Sequence, residues 1–171
     1  MKSLAIIPAF CIALAAPATA RAEDFKADLI GFEEVPAVST PASGKFKAKF
    51  DKKNQVLDYE LTYSDLVGTV QQAHIHFGQA GVNGSIVIWL CQTATTPAPA
   101  AAAGVPICPQ SGTVNGTITA ANVIAATTTS QQILAGELDE VIEAMEAGVA
   151  YANVHATPLN GGGEIRGQIK K

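Results

Sequence analysis

The chain predicts an all-β domain, a sandwich or barrel of about eight strands with one short covering helix, on three observations. Apolar and polar residues alternate with period two through most of the sequence. Clusters of Gly, Pro, Asn and Asp interrupt the alternation at turn-like intervals. A single segment switches to the helical period.

The order of elements follows from the pattern. Met1 to Ala22 carries one Lys, an apolar stretch from Leu4 to Ala16 and small-residue sites at Ala18-Thr19-Ala20 and Ala20-Arg21-Ala22. This is the pattern of a secretory signal peptide, with cleavage expected near Ala20 or Ala22 and residues 23–171 as one mature domain. Its apolar run is shorter than a bilayer-spanning helix needs, and no later stretch is long enough, so the mature chain is expected to be exported to the periplasm or beyond without a membrane span.

Strand-like alternation is clearest at Val56 to Tyr63, where Leu57, Tyr59, Leu61 and Tyr63 oppose Asp58, Glu60 and Thr62. Similar runs occur at Phe25 to Ile30, Lys45 to Phe50, Ala73 to Phe77, Ile86 to Leu90, Ser111 to Ile118, Ala150 to His155 and Glu164 to Ile169. Turns are expected at Ser43-Gly44, Lys53-Asn54, Gly81 to Gly84 and Asn160 to Gly163. Leu138, Val141, Ile142 and Met145 recur at helical spacing, with Gly148 placed to end the helix.

Of 171 residues, 48% are hydrophobic and 15% charged, which excludes a disordered chain. The net charge is −4, and without Lys2 and Arg21 nine cations face fifteen acids, so a nucleic acid is not an expected partner. Cys91 and Cys108 remain once Cys11 is removed, an even pair in an oxidising compartment, and are expected to bridge around the Ala/Pro-rich loop between them.

The chemistry-bearing residues are three histidines. Period two puts His74 and His76 on one face of their strand, with Ala73, Ile75 and Phe77 on the other. The same rule groups Tyr151, Asn153 and His155 on a second strand, and Glu164, Arg166 and Gln168 on a third. If those strands are neighbours, His74, His76, His155, Asn153, Tyr151, Glu164 and Arg166 converge on one patch. Three imidazoles so placed suit Cu or Zn with an open position, and Glu164 is the expected partner for an imidazole N–H. The competing expectation is that the imidazoles hydrogen-bond to Glu164, Asn153 and backbone carbonyls without any ion, and Arg166 weighs against a dication.

Other features read as structure. Glu33-Glu34 is expected to be a solvated strand end, Gly161 to Gly163 a turn, and Trp89 and Phe77 core. No Gly-x-Ser-x-Gly elbow is present. Asn83-Gly84-Ser85 and Asn115-Gly116-Thr117 match the glycosylation acceptor pattern.

Ala73-His74-Ile75-His76-Phe77-Gly78, Gly81 to Gly84 and Ile86 to Leu90, with Tyr151 to His155 and Gly163 to Ile169, resemble the CHRD domain, the module named after chordin. Leu29 to Pro36 resembles the family's start, and the likeness runs from Phe25 to Ile169 as in a stand-alone exported microbial member. The resemblance implies an immunoglobulin-like or Greek-key barrel and carries no established enzymatic activity. Chordin's growth-factor-binding cysteine-rich modules are absent here, so that ligand does not transfer. The expected function is an exported, non-enzymatic binding or structural module whose ligand, a protein or small molecule, is unidentified. The alternative is a metal-binding protein with redox or hydrolytic activity at the three-His site. A third expectation is partner recognition through the loop from Thr93 to Pro106.

Overall fold

The computed structural model describes residues 22–102 and 104–171, so the expected leader at Met1–Ala22 lies, apart from Ala22, outside the described residues. Eight strands form: β1 (Glu23–Ile30), β2 (Ser43–Asp51), β3 (Val56–Ser64), β4 (Thr69–Phe77), β5 (Ser85–Cys91), β6 (Gly112–Ile118), β7 (Ala150–Thr157) and β8 (Asn160–Gln168). One helix, α1 (Leu138–Glu146), precedes β7. All strand pairs are antiparallel within one sheet of order β5-β4-β7-β8-β1-β2-β3-β6.

Alternation explains the core. Phe25, Ala27 and Leu29 of β1, Phe46, Ala48 and Phe50 of β2, and Leu57, Tyr59, Leu61 and Tyr63 of β3 are buried and share one cluster with Ile75, Ala152, Val154 and Ile165. Between them, Lys47, Lys49, Asp58 and Glu60 face water. The sheet curls until its two edge strands meet, making a nearly closed barrel. Tyr59 of β3 donates to the Leu90 carbonyl of β5 at 2.5 Å. The Cys91–Cys108 disulfide, with its Cα atoms 5.0 Å apart, ties the end of β5 to the segment leading into β6. The amide of Cys108 donates to the Gln92 carbonyl at 2.8 Å beside it.

Helix α1 buries Leu138, Val141, Ile142, Ala144 and Met145, the stripe its periodicity predicts, while Asp139 and Glu140 suit the positive end of its dipole. Gly148, at φ +70, takes the left-handed position that ends it, and the Val149 amide returns to the Ala144 carbonyl at 2.9 Å.

Two expected turns are strand instead. Ser43-Gly44 pairs with Ser64 and Tyr63 as the start of β2. Asn160 to Gly163 opens β8, and Pro158-Leu159 makes the turn. A glycine run reads locally as a turn, but Gly163 serves a backbone at φ +127 pressed against the Glu34 carboxylate.

Candidate metal centre

Register places the histidine faces side by side. Between β4 and β7, His74 stands opposite Asn153 and His76 opposite Tyr151. Between β7 and β8, Asn153 stands opposite Arg166 and Tyr151 opposite Gln168. His155 lies where the β7–β8 register shifts between Val154 and Ala156.

This polar face lies beneath other segments. Residues 31–42 and the β4–β5 loop fold over it, tied together where Asn83 Nδ2 donates to the Val35 carbonyl at 3.0 Å. Every residue from Ala150 to Ala156 is buried, and His74, His76 and His155 are 0%, 8% and 6% exposed. The expected surface patch is therefore an enclosed polar cluster between the sheet and its loops.

Main-chain carbonyls set the tautomers. His76 Nδ1 lies 2.9 Å from the Gly84 carbonyl and His155 Nδ1 lies 3.0 Å from that of Gly161. A carbonyl only accepts, so both Nδ1 atoms carry the proton and both Nε2 atoms keep a lone pair. His155 Nε2 lies 3.3 Å from His74 Nδ1, which can donate to it, and 3.2 Å from Asn153 Oδ1, a second acceptor that repels its lone pair unless a cation or a proton lies between them. The Nε2 atoms of His74 and His76 are buried without a hydrogen-bond partner. One nitrogen from each ring lies within 4.8 Å of the other two. Nitrogens at ~2.0–2.1 Å from a common ion stand roughly 3.5 Å apart, so a fit asks nitrogens up to 4.8 Å apart to draw in by at most about 1.3 Å.

The electrostatics favour neutral rings. Burial lowers all three histidines, His74 well below its ordinary range and His76 to about 4, with the neighbouring His155 adding to the shift in both. Neutral imidazoles are the form that ligates.

Arg166, 1% exposed, roofs one side. It donates to Asn83 Oδ1 at 3.0 Å and to the Val82 carbonyl at 2.8 Å, and its guanidinium carbon lies 3.6 Å from the Tyr151 ring centroid. Tyr151 stacks in turn on His76, with centroids 4.7 Å apart and planes 4° apart.

Three expectations for single residues change. Glu164 turns to other partners: its Oε1 accepts from the Thr40 hydroxyl at 2.6 Å and the Val67 amide at 2.8 Å. Glu34, expected at a solvated strand end, is 5% exposed and belongs to the site. Burial raises its carboxyl to about 7, with Arg166, the Val35 amide and Asn153 opposing the rise. Alternation within a segment gives no sign that a loop folds back over a distant strand, so Glu34 leaves no local signal. Trp89 stays half-buried, outside the core, and meets His74 edge-on with ring centroids 4.3 Å apart. Its register opposite His74 is the consequence of a β4–β5 irregularity that periodicity does not reveal.

A family model described as CHRD domain matches residues 25–169. No curated protein and no solved structure matches the chain.

Proposed function

The chain belongs to the CHRD domain family, and from that premise we propose that it is an exported CHRD module whose barrel holds a copper or zinc ion on His74, His76 and His155. The observation that carries the reading is the pair of Nδ1–H bonds to the carbonyls of Gly84 and Gly161. Ligating histidines are characteristically oriented by such bonds from the far ring nitrogen, which aim the other lone pair at the ion. The partnerless Nε2 atoms of His74 and His76 support it, since a buried acceptor without a donor is costly unless something fills the gap. Asn153 stands beside the imidazoles, while Tyr151 and Arg166 wall the site, and Glu164 fastens residue 40 over β8. An exported setting is supported by the leader pattern of Met1–Ala22 and by the Cys91–Cys108 bridge. In this reading the module binds and retains the metal, and catalysis is not required of it.

The test is metal analysis of the untagged protein after exposure to Cu(I) under anaerobic conditions, and separately to Cu(II) and Zn(II), each followed by desalting. One equivalent is expected, lost in His76→Ala and His155→Ala variants that keep the wild-type circular dichroism. A folded wild type that retains no metal overturns the reading and leaves the imidazoles as hydrogen-bonding ties between strands.

A further inference from the structure

This inference rests on the metal reading and goes beyond it: we propose that the cluster selects copper as the monovalent ion Cu(I) over Zn(II) and Cu(II). Donor count is the first reason. Among the described residues the cluster comprises three imidazoles and neither a thiolate nor a carboxylate. Asn153 Oδ1, 3.2 Å from His155 Nε2, brings an oxygen but no charge. Zn(II) in protein sites takes four ligands and Cu(II) prefers a tetragonal set, whereas closed-shell Cu(I) is content with three nitrogens. Enclosure limits the water that would complete a divalent shell, because the three histidines are 0%, 8% and 6% exposed.

Charge is the second reason. Arg166 puts a buried guanidinium against Tyr151, which itself stacks on His76. Burial raises the Glu34 carboxyl, which feels that guanidinium, to about 7, so it supplies a full counter-charge to neither the guanidinium nor the ion. The cost of burying an ion scales with the square of its charge, so a dication costs about four times what a monocation does. Three neutral ligands leave that difference uncompensated.

The walls are the third reason. Trp89 meets His74 with centroids 4.3 Å apart, and the Tyr151 ring lies flat against His76. Such π-rich surroundings favour a soft, weakly hydrated cation over a strongly hydrated one.

The experiment is anaerobic competition on the full mature protein: Cu(I) against bicinchoninate, Zn(II) and Cu(II) against chromophoric chelators of each. The expected result is one equivalent of Cu(I), held about 100-fold or more tighter than either divalent ion. It should be lost in folded His76→Ala and His155→Gln variants, with an X-ray absorption spectrum of three nitrogen donors. Should a variant fail to fold, the wild type answers instead, because diamagnetic Cu(I) shifts the Nε2 resonances of His76 and His155. Unshifted resonances overturn the proposal. Zn(II) or Cu(II) bound as tightly as Cu(I), and lost in the same variants, overturns the monovalent preference while leaving the metal site standing. A folded wild type that holds none of the three ions overturns both.

Discussion

The carboxylate of Glu34 occupies the space that a β-carbon on residue 163 would need, so the loop after β1 and the start of β8 fit together only because residue 163 is Gly163. The same residue sits at φ +127, where side chains are strained. Glu34 is thereby held over the histidine face by a glycine 129 positions away in the chain.

Gly163→Ala is expected to destabilise the barrel by about 2 kcal/mol, combining backbone strain with the displaced carboxylate. Urea denaturation measures it. A variant as stable as the wild type would show that residues 31–42 are not seated on β8 as described.

Arg166→Lys should cost roughly 2–4 kcal/mol although it keeps the charge, because an ammonium cannot reproduce the flat contact with Tyr151 together with the bonds to Asn83 and Val82. Protease cleavage in the β4–β5 loop should rise in parallel. Wild-type resistance in that loop would assign the retention of its shape to other contacts.

Acid should unfold the metal-free protein. The three histidines titrate lower in the fold than in the unfolded chain, so their contribution is intact above 6.5 and is lost as pH falls toward 4. His76, carried from 6.5 to about 4, accounts alone for about 3 kcal/mol. Glu34 has the opposite sign: raised from 4.5 to about 7, it stabilises below 4.5 and loses that contribution as pH rises through 7. Glu34→Gln should therefore make the acid loss steeper between 4.5 and 7. Thermal midpoints across this range check both statements: the two contributions oppose each other in the wild type, so it is a flat Glu34→Gln profile from pH 7 to about 5 that contradicts the first.

Reducing the Cys91–Cys108 bridge, which closes a separation of 17 residues, is expected to cost about 3 kcal/mol. The denaturation midpoint with and without reductant reports it. Because the bridge lies where the edge strands β5 and β6 meet, hydrogen exchange should accelerate first in those two strands, and uniform acceleration would argue for a purely global effect.

The sequence made the sheet and half of the site legible, for reasons particular residues show. Period two in Ala73–Phe77 and Tyr151–His155 is a local signal, and it places His74, His76 and His155 on matching faces, which the β4–β7 register then joins. The stripe Leu138–Met145 and the pair Cys91 and Cys108 were equally readable, since each is a short-range pattern with one structural meaning. What covers the site was not. Glu34 reaches Asn153 and Arg166 through the loop after β1, and Glu164 finds Thr40 of that same loop and Val67 of the one between β3 and β4. Contacts made by irregular segments carry no period. The same holds for Gly161 to Gly163, whose composition signals a turn while their pairing makes them strand.

The groups that fix the proton on His76 and His155 are peptide oxygens of Gly84 and Gly161. Every amino acid supplies such an oxygen, so replacing either residue deletes nothing from the arrangement unless the path of the chain itself bends. Residue 161 has room for a side chain and can drift, whereas a β-carbon on residue 84 would strike the Phe77 carbonyl, so the aim of the His76 ring is inherited only as long as that corner stays glycine.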